Sequence, residues 1–137
     1  MHFAQRLDNV ETSAIRELFK LLGKPGIISF AGGFPDSAMF DVDGITQSSQ
    51  KALQENAGMA LQYGATEGFG PLREQLAAFI ATKGAKDVAP EQLIVTTGSQ
   101  QALDLLGKCM VSPGDKVIVE GPTFLATIQC FRLYGAE

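Results

Sequence analysis

The sequence has one histidine, His2, and two cysteines, Cys109 and Cys130, among its 137 residues. Metal sites are built from clustered His, Cys and carboxylate ligands. No such cluster is visible, so no metal is expected, and His2 is expected to be exposed and inert. The cysteines sit inside apolar helical patterns and read as reduced, buried thiols of a cytosolic protein. Runs of positive charge are missing as well. Eleven Lys and Arg stand against fifteen Asp and Glu, a net charge of -4. Affinity for nucleic acid rests on clustered Lys and Arg, so no nucleic-acid partner is expected. No stretch approaches the ~20 apolar residues of a membrane helix, and none is expected to meet a membrane. Residues 1–20 mix charge with apolar side chains, which argues against a secretory signal peptide.

What is present is the material of a folded domain. Hydrophobic residues make up 45% of the chain, enough for a packed core and against disorder. Ile15, Leu18, Phe19 and Leu22 share one helical face and predict a helix over 11–22, stopped by Gly23 to Gly26. Ile27 to Phe30 is a short apolar run, and 31–36 (AGGFPD) reads as a loop. A helix is expected over 43–56 and an ordered, glycine-bearing loop over 61–69. Pro71 suits a first helical residue. Leu72, Leu76, Phe79 and Ile80 carry that helix on to Gly84.

The second half has a different pattern. Residues 93–97 (LIVTT) and 116–120 (KVIVE) are β-branched and apolar, as in strands buried on both faces. Between them lies a helix from Gln100 to about Val111, apolar nearly all round and therefore expected to be largely buried. A tight turn follows at 112–115. A third helix carries Leu125, Ile128 and Phe131. Strand, helix, strand, helix predicts a βαβ unit with a parallel sheet. Two parallel strands cannot cover their own faces, so the sequence reads as incomplete at Glu137.

Ligands of parallel sheets lie beyond the carboxyl ends of the strands. One such end is Thr97-Gly98-Ser99-Gln100. Its glycine permits close backbone approach, and a helix N-terminus favours an anion such as phosphate. Read from the residues alone, it is either an ordinary helix cap or a phosphate site. The other end, 120–124, sets Phe124 just past a strand, either as a core residue or as a ring facing a ligand.

Residues 29–36 (SFAGGFPD), 61–76 (LQYGATEGFGPLREQL), 95–106 (VTTGSQQALDLL) and 113–136 (PGDKVIVEGPTFLATIQCFRLYGA) together resemble the fold-type I, pyridoxal-phosphate (PLP)-dependent aminotransferases of class I and II. The resemblance is greatest to the 2-aminoadipate, aromatic and branched-chain branch, which residues 13–22 also resemble. It implies an α/β fold, the start of a three-layer α/β/α, aspartate aminotransferase-like architecture with a parallel-rich sheet. Residues 1–42 would form an N-terminal segment of helix and substrate loop. Residues 43–137 would begin the large PLP-binding domain.

The resemblance also implies roles. Gly98, Ser99 and Gln100 match the turn that holds the PLP phosphate. Phe124 matches the aromatic stacked on the pyridine ring, where many relatives have Tyr or Trp. Tyr63 matches a tyrosine that reaches the phosphate of the neighbouring subunit, which implies a homodimer. Gly33 matches a position where backbone lies close to substrate. Ser13 and Arg16 match helix positions near the substrate side chain, and a guanidinium suits a distal carboxylate. Arg16 hints at dicarboxylic or long substrates, while Phe34 and Phe40 hint at aromatic or branched ones. Gly121-Pro122 matches a position that is often cis.

The family's chemistry needs a Schiff-base lysine, an acidic partner for the pyridinium nitrogen and an arginine for the α-carboxylate. All three lie downstream of the matching region. None of Lys20, Lys24, Lys51, Lys83, Lys86, Lys108 and Lys116 stands in the Schiff-base context, so no catalytic residue is assigned. The expectation is the N-terminal part of a cytoplasmic aminotransferase that moves an amino group between an amino acid and a 2-oxo acid, inactive as it stands. The alternative is the PLP-sensing, aminotransferase-like domain of a transcriptional regulator.

Overall fold

A computed structural model describes residues 2–7, 25–28, 30, 33–85 and 87–137. The helix expected over 11–22 lies outside the described residues. The chain divides into two compact units, Glu11–Gln62, and Met1–Val10 with Tyr63–Glu137.

In the first of these units the main element is α1 (Val42–Ala60). It starts where the Asp41 carboxylate accepts a hydrogen bond from the Gly44 amide at 2.9 Å, satisfying one of the amide groups a helix start leaves without a partner. A 3₁₀ turn (Ser37–Met39) precedes it, capped in the same way by Asp36 through the Ala38 amide at 3.0 Å. The helix runs past the expected end at Asn56, but Asn56 itself is non-helical at φ −144°, ψ 39° and kinks it.

The second unit holds α2 (Gly70–Thr82), α3 (Ser99–Met110) and α4 (Leu125–Leu133), with 3₁₀ turns at Gln5–Leu7 and Pro90–Gln92. Pro71 lies in the first turn of α2, where its missing N–H costs nothing. The turn at 112–115 closes through Asp115 N to Ser112 O at 3.0 Å and Ser112 N to the Asp115 carboxylate at 2.7 Å. Helix α3 packs on α4, and α2 packs on the Pro90–Gln92 turn.

Two expectations need correction. The segments read as strands, 93–97 and 116–120, do not form strands, and no strand occurs among the described residues. A strand exists only through successive ladder bonds to a neighbour. The second segment has a single step of that kind. Val117 N donates to Glu137 O at 3.0 Å, and Glu137 N donates to Asp115 O at 2.8 Å, the bonding of one parallel ladder step.

The second correction concerns burial. Helix α3 is not largely buried, since its buried residue is Gly107 and Met110 is 75% exposed. Gln101, Asp104 and Lys108 interrupt the apolar surface of the helix, and packing on α4 covers one side of it. The cysteines split for the same reason, Cys130 being buried and Cys109 exposed.

Candidate phosphate-binding turn

The turn at 97–101 is assembled by local bonds. Gly98 adopts φ 87°, ψ 169° immediately before α3. That is a conformation side-chain-bearing residues rarely take, so the glycine is required by backbone geometry. No side chain caps the first turn of α3, which leaves the amides at Ser99 and Gln100 facing outward with the positive end of the helix dipole. A Cβ placed on Gly98 would meet nothing within 4 Å, so conformation rather than crowding restricts the position to glycine. Both Ser99 and Gln100 are exposed.

Gln101 is the residue the sequence reading missed. Its side-chain oxygen accepts from Thr97 N at 2.6 Å and from Thr97 Oγ1 at 2.9 Å. Thr96 Oγ1 donates to Gly98 O at 3.1 Å. Together these bonds tie the incoming backbone to the helix and hold the turn. The spacing of Thr97 and Gln101 was a readable signal, because a polar side chain four residues into a helix can reach back over its start.

Phe124 stands immediately before α4 and is 60% exposed, just after the cis Gly121-Pro122 bond. Its ring is therefore not a core residue of the described structure. Tyr63 is exposed at the start of the loop that ends at Phe69. That loop comes back to the segment leading into the turn, since Val95 N donates to Glu67 O at 2.9 Å. Tyr63, Gly98, Ser99, Gln100 and Phe124 thus belong to one unit. Gly33, at φ 58°, lies in the other. Ser13 and Arg16 lie outside the described residues.

The charged cluster nearest the turn in sequence is structural in character. Tyr134 Oη donates to Asp104 Oδ1 at 2.6 Å, and Lys108 Nζ lies 3.6 Å from Asp104 Oδ2. The tyrosine hydrogen bond, aided by Lys108, holds the Asp104 carboxyl below its ordinary value, against a smaller opposing effect of burial. The same bond raises the Tyr134 phenol. Burial pushes the Cys130 thiol up.

The unit thus carries an open helix start behind a positive-φ glycine and an exposed aromatic ring at the head of the next helix. Residues 26–137 match the aminotransferase class I and II family, and the chain belongs to it. It is 43% identical over 133 residues to the 2-aminoadipate transaminase of Thermus thermophilus, covering 97% of this chain and 32% of that one. It is 40% identical to aromatic-amino-acid aminotransferase 1 of Thermococcus litoralis, covering 99% and 33%. Among solved structures, LysN, the α-aminoadipate aminotransferase of T. thermophilus complexed with N-(5'-phosphopyridoxyl)-L-leucine, superposes with a TM-score of 0.81 at 41% identity. That match covers 98% of this chain and 32% of the other. The chain spans about a third of the length of the relatives it matches.

Proposed function

We propose that this chain is the N-terminal part of a PLP-dependent aminotransferase and supplies one side of its cofactor site. The observation that carries the reading is the uncapped, exposed start of α3 behind Gly98. Its donor set fits a phosphate, because backbone amides and a serine hydroxyl converge with a helix dipole. When bound, PLP supplies the electron sink that lets an amino group leave one carbon skeleton and join another.

The residues of this chain bind and orient. Ser99 and the amides at Ser99 and Gln100 hold the phosphate dianion. Phe124 stacks on the ring face and excludes water from it. Tyr63 reaches the phosphate held by a second protomer, which makes the enzyme a homodimer. Gly33 lines the substrate side, Ser13 borders the substrate, and Arg16 receives a distal carboxylate. Residues 1–42 form the substrate-facing segment, and 43–137 open the large domain of a three-layer sheet protein. The reaction runs in two halves. A donor amino acid gives up its amino group and leaves as a 2-oxo acid, and a second 2-oxo acid takes the group and leaves as an amino acid. The setting is cytoplasmic. The names of the two relatives above, at 43% and 40% identity, favour this reading over a PLP-sensing regulator.

The test uses the full-length protein. It should retain PLP with a visible absorbance band and transfer amino groups to 2-oxoglutarate. Replacing Ser99 by Ala should weaken PLP binding by about tenfold, the effect of one hydrogen bond to a charged group. A full-length protein with no band and no transfer from any amino acid would sink the proposal.

A further inference from the structure

We propose that Arg73 is a positioning residue that fixes the spacing between the phosphate-binding turn and the Tyr63 loop, an inference that rests on the PLP reading above. Arg73 lies in the first turns of α2 and is half-buried. Its guanidinium is divided between two backbone carbonyls of different segments. Nε donates to Gly68 O at 3.2 Å and one terminal nitrogen donates to Pro90 O at 3.0 Å. Gly68 closes the Tyr63 loop, and Pro90 opens the turn from which 93–96 runs into Gly98.

Two further observations weld the same pair of segments. Val95 N donates to Glu67 O at 2.9 Å. Gly68 holds φ 106°, and a Cβ there would stand 2.7 Å from the Val95 side chain, so backbone and side chain meet with no room for an added atom. Gly68 N also donates to Ala65 O at 3.0 Å, which tightens the loop between Tyr63 and the weld. Tyr63 therefore sits five residues before Gly68, and Gly98 sits eight residues after Pro90 and three after Val95. Hydrogen bonds to a phosphate demand short, directed donors. A small error in the placement of either element relative to the phosphate it serves is therefore costly.

Arginine suits the task. Its planar fork presents donors in fixed directions, whereas an ammonium is a single point on a flexible stem. Arg73→Lys should keep a charged donor at the site and lose one of the two bonds. The consequence for the enzyme is that each phosphate site depends on the geometry of two clamps. One holds the local turn, and the other holds the Tyr63 arriving from the second protomer.

The experiment measures PLP affinity of the full-length protein for wild type, Ser99→Ala, Tyr63→Phe, Arg73→Lys and the double variant Arg73→Lys/Tyr63→Phe. Melting temperature and exchange of the Val95 amide are followed in the cofactor-free proteins. Arg73→Lys is expected to weaken PLP binding about tenfold with the protein still folded, and to speed exchange of the Val95 amide. The double variant is expected to bind PLP about as well as Arg73→Lys alone, because removing the hydroxyl adds little once the loop is misplaced. Unchanged affinity in Arg73→Lys, beside a loss in Ser99→Ala, overturns the clamp and leaves the cofactor reading standing. Multiplying losses in the double variant also overturn it, since a general structural role would act independently of Tyr63. A wild-type protein that binds no PLP removes both.

Discussion

Asp104 and Tyr134 form a pair whose protonation states are tied to packing. The Asp104 carboxyl is lowered from 3.8, chiefly by the tyrosine hydrogen bond, so its contribution is present above that value and lost as pH falls through the lowered one. Tyr134 is raised from 10.0 by the same bond, so its contribution is present below that value and lost as pH rises through the raised one. The pair should therefore support stability evenly between about pH 5 and 9 and weaken beyond both ends. Tyr134→Phe removes the bond, and melting temperatures across that range should drop with a flatter profile at its two limits. The ring matters too, because a Cβ on Gly107 would collide with it. Gly107→Ala should cost about 1–3 kcal/mol by overpacking, read from urea denaturation. The two thiols give a third check at this scale. In the 137-residue chain, a thiol reagent at pH 8 should label exposed Cys109 quickly. Cys130, 2% exposed and with a raised thiol, should react only on unfolding. Equal rates would contradict the burial described.

Elements differ in how far their sequence determines them. Helices α2, α3 and α4 begin and end within a few residues of where periodicity, Pro71 and the turn glycines place them. Their hydrogen bonds are internal and their signals local. Asn56, read as a helix end, is a kink inside α1, because local signals register a break but not whether the chain resumes the helix. The apolar segments 93–97 and 116–120 were readable as extended but not as paired, since pairing depends on residues distant in sequence. The candidate site follows the same rule. Gly98, Ser99 and Gln100 were legible because a glycine-serine step before an apolar helix is a local pattern. Gln101 was legible in principle from its spacing to Thr97. Arg73 was not, because its role comes from two carbonyls, one of them 17 residues away. Caps remain the most direct handle on an element. Asp41→Ala should cost α1 about 1 kcal/mol, measured as lost helicity and lower melting temperature, and Asp41→Asn should restore most of it. No change on Asp41→Ala would mean the carboxylate does not cap the helix in solution.

At the scale of the whole chain, the decisive quantity is apolar surface left in water. Ile118 is 98% exposed and Ile94 65%, although both lie in segments with the composition of buried strands. A groove of about 220 Å³ between 117–119 and α4, lined by Val117, Val119, Ile128 and Phe131, is open to solvent. Each large aliphatic side chain kept in water forfeits about 1.5–3 kcal/mol, and domains are stable by only about 5–15 kcal/mol in total. Several such residues are therefore enough to decide whether a unit holds its packing. The relatives are about three times longer, and their additional length is the natural source of cover, so the 137 residues alone should behave differently from the full-length protein. Alone, they should bind a hydrophobic dye, unfold over a broad thermal range and associate as concentration rises. Ile118→Lys should reduce that association without lowering the melting temperature, because a fully exposed isoleucine contributes no packing. The same substitution in the full-length protein should cost several kcal/mol by burying a charge. If Ile118→Lys were tolerated equally in both, 116–120 would not be a buried segment of the full-length protein, and the sheet expected from its β-branched composition would be wrong at that position.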